Sequence, residues 1–362
     1  MNAVKRSPRK TRKDTKEAGE KSFMAQPSVE SALFRHPSSF RAFSCLSWTS
    51  IPILFLSLCL CGLARAEQAS VFIAIGAAGQ EEYADSFAKW AGHWQKASAA
   101  GNARATTIGL AVDEKDCLSR LRAALEAEPK ESTDELWLVL LGHGTADSAG
   151  GKFNLRGDDL AATDLAALLK PFRRPIVIVC GFSASGAFLK PLTAPDRVVL
   201  TATKSGSENN FARFGGYLAE SIASPAADLD KDGQTSVLEA WLAASQRTGD
   251  FYKDEGRIAT EHSLLDDNGD GLGTPADWFR GVRAVKKQSG KGEADGMRAH
   301  QMHLVRSTGE RELSPELRRQ RDALEVELAK LREARATMPE DAYYKALEAV
   351  LVRIAELYRV RR

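Results

Sequence analysis

Two short segments place polar side chains directly after runs of apolar residues. In residues 140–144, His143 lies between two glycines. Residues 179–186 pass from an apolar run, which includes Cys180, into a turn of small residues that contains Ser183. An imidazole can act as a general base, and the amide groups of a tight turn can stabilise an oxyanion. Both segments are therefore candidate sites of chemistry.

A second kind of candidate is a loop whose oxygen donors have the spacing of a calcium site. Donors occupy loop positions 1, 3, 5, 9 and 12, glycine occupies position 6, and position 7 offers its backbone carbonyl. The residues are Asp228, Asp230, Asp232, Gln234, Ser236 and Glu239. The alternative is a solvated acidic helix N-terminus, which the helix dipole favours. The complete match predicts bound Ca²⁺, with Glu239 closing the coordination shell.

A related loop begins 38 residues later in the chain. Its predicted ligands are Asp266, Asn268, Asp270, Leu272 through its carbonyl, and Asp277. The match is less complete, because Gly273 and Pro275 interrupt it and Asp277 is shorter than the usual glutamate. A second Ca²⁺ site and a tight polar turn are equal alternatives here.

The elements that would position these residues alternate between β-branched runs and amphipathic stretches. Such alternation predicts parallel strands joined by helical crossovers, with helices on both faces of one sheet. The predicted strands are 71–76, 106–112, 136–141, 176–180 and 198–203. Reactive groups collect at the carboxyl ends of such strands, which is where His143 and residues 179–186 lie.

Beyond the predicted sheet, the chain divides into three further regions. Residues 226–283 hold the two acidic loops and a helix from about 236 to 251. Residues 284–312 are polar and glycine-rich without a period, which predicts a linker. Apolar residues at helical spacing in 313–362, interrupted by Pro339, predict a helical hairpin. The hairpin must pack on itself, on the core or on another copy, so self-association through these helices is one of three alternatives.

The first 66 residues have the features of a secretory leader. They carry 11 basic and four acidic residues, then a short apolar run and the sequence Ala64-Arg65-Ala66. Cleavage after Ala66 is expected, and an uncleaved membrane anchor is the alternative. The remaining chain, which we expect to be exported to the periplasm or secreted, has a net charge of −5. That charge argues against nucleic acid as a partner.

Residues 70–225 resemble the caspase-like cysteine peptidases, and most closely their legumain branch. The resemblance rests on His143-Gly144 after the third strand and on Ser185-Gly186 after the fourth. It implies a caspase-like parallel sheet in residues 67–225, with His143 as the base. It also implies a peptide or protein as the substrate or ligand.

The same resemblance places Ser183, and not a cysteine, at the nucleophile position. A hydroxyl gives up its proton less readily than a thiol, so we expect a pseudopeptidase. Two alternatives remain: a working hydrolase that uses Ser183 with His143, and a structural or adhesive Ca²⁺-binding module. Cys180 lies three residues too early and is expected to be a buried thiol.

Overall fold

The computed structural model describes residues 68–111, 113–287 and 293–359. The predicted leader and its cleavage site lie outside these residues. Within the described residues, no helix is both long and apolar enough to cross a membrane.

Twelve strands and ten α-helices are present in the described residues. The strands are β1 (Ser70–Ile75), β2 (Arg104–Ile108), β3 (Leu136–Gly142), β4 (Gly144–Asp147), β5 (Gly150–Phe153), β6 (Leu160–Ala161), β7 (Ile176–Phe182), β8 (Arg197–Thr201), β9 (Leu264–Asp266), β10 (Thr274–Pro275), β11 (Phe279–Arg280) and β12 (Arg283–Ala284). The helices are α1 (Glu81–Ala100), α2 (Cys117–Ala127), α3 (Ala162–Leu169), α4 (Gly186–Leu192), α5 (Phe214–Ser221), α6 (Val237–Asp254), α7 (Met297–Gln301), α8 (Thr308–Glu312), α9 (Pro315–Ala334) and α10 (Glu340–Arg359).

The centre of the fold is a seven-stranded sheet with the order β10-β9-β8-β7-β3-β1-β2. Strands β1, β2, β3, β7 and β8 are parallel, whereas β9 and β10 run antiparallel to their neighbours. The five parallel strands are the five predicted from the sequence, with ends shifted by a few residues. The predicted α/β fold class is therefore confirmed.

Alternate side chains of the central strands enter two separate apolar layers. In β3, Trp137, Val139 and Leu141 face the layer covered by α1, α5 and α6. Leu138 and Leu140 face the opposite layer, which α2, α3 and α4 cover. Every residue of β3 is buried, because helices lie on both faces of the sheet.

The first helical layer approaches the sheet most closely where two glycines meet. A Cβ atom on Gly181 of β7 would lie 2.9 Å from the Cα atom of Gly215 in α5. Only glycine fits at such a distance, so α5 packs backbone to backbone on β7. This contact fixes the helix beside the carboxyl end of the strand that leads to Ser183.

Both edges of the sheet differ from its centre. At one edge, β10 is only two residues long and includes Pro275, which has no amide hydrogen to donate. At the other edge, β2 is exposed at Arg104 and Ala105 and buried only at Ile108.

The predicted linker, residues 284–312, is not a linker over its described part. Residues 297–301 form α7 and residues 308–312 form α8. Met302 and Leu304 are buried in the first apolar layer, and the amide of Val237 donates to the carbonyl of Met302. The prediction failed because these helices are five residues long and show no apolar period.

The predicted C-terminal hairpin is present as α9 and α10, which pack against each other. Ser314 caps α9 by accepting the amide hydrogen of Leu317, and Pro315 stands at the first helical position. A salt bridge of 2.9 Å joins Arg353 of α10 to Glu327 of α9. The hairpin is joined to the body through α9, where Gln301 donates to Glu325.

Candidate functional site

His143 follows β3 directly and lies among aromatic rings. Its imidazole makes edge contacts with Tyr83 and Phe87 at centroid distances of 5.0 and 5.3 Å. Phe211 lies 5.9 Å from it and stacks on Tyr83. Burial among these rings lowers the pKa of His143, and a hydrogen bond to the carbonyl of Ala78 opposes this effect in part. The imidazole is therefore neutral near pH 7.

Ser183 follows β7, and the next residue, Ala184, has a φ of 59°. A positive φ is unusual for alanine and marks a sharp turn between the strand and α4. The amide of Ala184 donates to the carbonyl of Glu208 over 2.7 Å, which helps to hold the turn in place. The strand, turn and helix predicted around Ser183 are thus present.

The hydroxyl of Ser183 is occupied by the backbone of Gly144. The amide of Gly144 donates to Ser183 Oγ over 3.1 Å, and Oγ donates to the carbonyl of Gly144 over 3.2 Å. Ser183 is only 2% exposed. Within the described part of the chain, His143 and Ser183 share no hydrogen bond. The structure therefore places the hydroxyl of Ser183 against the backbone of Gly144, the residue after His143. It does not place this hydroxyl in hydrogen-bond contact with the imidazole of His143.

The segment after β8 supports the turn from the other side. Ser185 Oγ accepts the amide hydrogens of Ala202 and Thr203, which fixes the start of α4 against the end of β8. Glu208 accepts the amide hydrogen of His262, and its carboxylate lies 2.5 Å from His262 Nδ1. These contacts are a polar framework that sequence reasoning did not identify.

Cys180 is fully buried in the second apolar layer, as expected. Burial raises the pKa of its thiol strongly, so the thiolate is not accessible at neutral pH. Cys180 is therefore not a nucleophile in this conformation.

The first acidic loop brings three carboxylates together. One oxygen atom from each of Asp228, Asp230 and Asp232 lies within 4.8 Å of the other two, and no other such group of Asp, Glu, His or Cys occurs in the described residues. Burial first, and then the charges of Glu239 and Asp232, raise the pKa of Asp230. Hard oxygen donors at this separation fit Ca²⁺.

Glu239 does not join that group, contrary to the prediction that it closes the coordination shell. Its Oε1 accepts the amide hydrogens of Leu229 and Asp230, and its Oε2 accepts the amide and hydroxyl hydrogens of Ser236. Ser236 in turn caps α6, forming a capping box with Glu239. Gln234, at position 7, accepts the amide hydrogen of Ser307 with its side chain.

The two acidic loops share one pattern of internal hydrogen bonds. In the first, Asp228 accepts the amides of positions 4 and 6, which are Lys231 and Gly233. In the second, Asp266 accepts the corresponding amides, from Gly269 and Gly271. In both loops, the side chain at position 3 accepts the amide hydrogen of position 5. The side chain at position 5 likewise accepts the amide hydrogen of position 7. In the second loop these side chains are Asn268 and Asp270, and the final donor is Leu272.

Asp277, predicted to close the second loop, is exposed on a short 3₁₀ helix and forms no group with Asp266 and Asp270. Asp295 takes the place that Glu239 has in the first loop. Its Oδ1 accepts the amides of positions 2 and 3, Asp267 and Asn268, at 2.9 and 3.1 Å. The prediction missed Asp295 because it lies outside the local spacing.

Asp295 is 5% exposed, and its Oδ2 accepts from the hydroxyl of Thr274 at position 9. Burial and the neighbouring Asp267 raise the pKa of Asp295 to about 7. Asp267 faces away from the loop and accepts the amides of Gly296 and Ala299. The second loop is thus held against the segment that contains α7.

Comparisons with known proteins find similarity only at the level of the fold. No family model matches the chain, and no curated protein matches it. The Drosophila initiator caspase Dronc is similar with 13% identity and a TM-score of 0.38, over 57% of this chain and 81% of that chain. Caspase-1 from Spodoptera frugiperda is similar with 12% identity and a TM-score of 0.35, over 55% of this chain and 85% of that chain.

Proposed function

We propose that this chain is an exported, calcium-binding protein of the legumain-like branch of caspase-fold proteins and that it has no peptidase activity. The observation that carries the proposal is the pair of hydrogen bonds between Ser183 Oγ and the backbone of Gly144. A hydroxyl held in this way is neither deprotonated by an imidazole nor free to attack a carbonyl carbon.

The surroundings of His143 support the same conclusion. A serine nucleophile needs a base that a third group orients, usually a carboxylate. In the described residues, His143 is surrounded by aromatic rings and hydrogen-bonded to a backbone carbonyl. A neutral imidazole without a carboxylate partner is a weak base for a hydroxyl. We propose that the scaffold binds a peptide or protein, as the resemblance implies, without cleaving it.

Activity-based labelling tests this proposal. A fluorophosphonate probe should leave Ser183 unmodified, and a peptide library should remain uncut over hours at pH 7. Ser183→Ala is the matched control, because it removes only the hydroxyl and should behave like the natural protein. Probe labelling or peptide cleavage that Ser183→Ala abolishes would instead establish an active serine hydrolase.

The calcium part of the proposal rests on the first loop. Asp228, Asp230 and Asp232 would hold the ion, whose charge would offset the mutual repulsion of their carboxylates and stabilise the loop. We extend the proposal to the second loop, with Asp266 and Asp270 as its carboxylate donors and Asp295 bracing the loop as Glu239 braces the first, since its hydrogen bonds follow the same pattern.

Isothermal titration calorimetry of chelator-treated protein tests calcium binding. Asp232→Asn should weaken binding at the first loop by about tenfold or more, because one charged ligand is lost. Asp250→Asn on the exposed end of α6 is the control, since it changes the net charge equally and lies outside the loop. Equal binding by both variants would remove the first loop as the site.

Export is proposed on the basis of the leader sequence alone. The mature chain should begin at Glu67, after the small residues that signal peptidases recognise. N-terminal sequencing of the protein from the periplasm or the medium checks this expectation. A full-length product retained in the cytosol would refute it.

A further inference from the structure

Helix α10 carries an unusual share of the exposed apolar surface. Nine large apolar side chains are exposed in the described residues, and four of them belong to this one helix. They are Tyr344, Leu351, Val352 and Tyr358, which are 41 to 50% exposed. Tyr344, Leu351 and Tyr358 are spaced seven residues apart and therefore lie on one face of the helix. We call these three residues the outer stripe.

The outer stripe is separate from the face that packs on α9. That inner face is centred on the buried residues Tyr343 and Val350, which are also seven residues apart. Each residue of the stripe is one position further along the chain, about 100° further around the helix. The apolar surface of α10 is thus wider than a two-helix hairpin can cover.

The spacing of the stripe is symmetric about Leu351. Tyr344 precedes Leu351 by seven residues and Tyr358 follows it by seven. If a second copy of α10 ran antiparallel, with Leu351 on the two-fold axis, each Tyr344 would face a Tyr358. An interface between identical copies requires this reciprocity, in which residue i meets j and j meets i.

The charges at the two ends of α10 distinguish a parallel pair of these helices from an antiparallel pair. The first turn carries Glu340 and Asp341, and the last turn carries Arg359. A parallel copy would place like charges together, whereas an antiparallel copy places acidic ends beside basic ends. Such complementarity selects partner and orientation.

We propose that the outer stripe is the interface with a second copy of this chain, paired antiparallel about Leu351. Two hairpins joined in this way form a four-helix arrangement in which the two α10 helices are central, a stable solution for amphipathic helices. A 20-residue helix offers about 30 Å of contact length. The inference is independent of the calcium and pseudopeptidase proposals, since it uses neither site.

Sedimentation velocity of the chain from residue 67 to 362 tests the interface. The natural sequence should be a dimer at micromolar concentration, and Leu351→Arg should raise the dissociation constant by about 100-fold or more, since two arginines would meet at the axis. Ile258→Arg is the control, because Ile258 is 89% exposed outside the hairpin, and it should remain dimeric. Circular dichroism checks folding, and Leu351→Ser provides a milder second variant. A monomeric natural protein, or a dimer unaffected by both Leu351 variants, would overturn the proposal.

A charge reversal tests the orientation. Glu340→Arg and Arg359→Glu should each weaken the dimer by about threefold to thirtyfold, because each contact occurs twice in a symmetric pair. The double variant should recover most of the lost affinity, since it exchanges the signs at the two ends. If the double variant is weaker than both single variants, the antiparallel arrangement is wrong.

Discussion

The carboxylate of Asp295 can be removed with little change in shape by the substitution Asp295→Asn. The remaining oxygen can still accept the amides of Asp267 and Asn268, and the new amide group can donate to the hydroxyl of Thr274. The substitution also removes a buried carboxyl group whose pKa is raised by burial and by the neighbouring charge of Asp267. Without calcium, the variant should therefore be as stable as the natural protein or more stable.

With calcium, the sign of the effect should reverse. An ion that binds only the folded state at 100 times its dissociation constant adds about 2.7 kcal/mol of stability. Loss of the carboxylate that braces the loop, taken as a tenfold loss of affinity, lowers this contribution by about 1.3 kcal/mol. Asp295→Asn should lose this amount only in the presence of calcium.

Urea unfolding in millimolar Ca²⁺ and again in excess chelator measures both effects. Asp277→Asn is the matched control, because this residue stands at position 12 of the loop in the sequence but is exposed in the structure. It should leave the free energy of unfolding unchanged under both conditions. If Asp277→Asn removes the calcium effect and Asp295→Asn does not, the assignment of Asp295 to the second loop is wrong.

Three further outcomes are expected. Ser183→Cys should remain inactive towards fluorogenic peptides, because residue 183 is only 2% exposed and faces the backbone of Gly144 instead of the His143 imidazole; activity that is lost when His143→Ala is added would show that the imidazole does reach residue 183. Glu128→Gln should lower the free energy of unfolding by about 3 kcal/mol in urea titrations, because it leaves the charge of Arg174 buried without its partner, and a loss below 0.5 kcal/mol would show that the pair is dispensable. Burial, assisted by nearby positive groups, lowers the pKa of His303 to about 3, so the unfolded chain binds a proton between about pH 6.5 and pH 3 that the folded chain does not. Acidification through this window should destabilise the natural protein relative to His303→Gln by up to about 1.4 kcal/mol per pH unit, and parallel stability profiles would contradict the shift.

The sheet could be predicted from the sequence because its central strands are short, continuous apolar runs. Every residue from 136 to 141 is apolar, and each pairs with β1 on one side and with β7 on the other. Such runs are typical of strands that are covered on both faces. Helix α4 follows the turn after β7 as predicted, although it has only seven residues and contains Pro191.

The candidate sites could be predicted only where their residues lie close together in the sequence. The first acidic loop follows from a spacing within twelve residues, and its three aspartates do meet. The contact between Ser183 and Gly144 joins residues 39 positions apart, and the contact between Asp295 and Asp267 joins residues 28 positions apart. No local pattern encodes such pairs, because they depend on how the strands and loops are packed.

The short strand β10 has a consequence for how the chain behaves among its own copies at high concentration. An uncovered sheet edge is a template on which another strand can add, and it is a common starting point for aggregation. Here β9 is already paired by β10, which offers only two residues, and Pro275 supplies no donor for a further strand. Both residues of β10 belong to the second acidic loop, so the loop that we propose as a calcium site also protects that edge from strand addition.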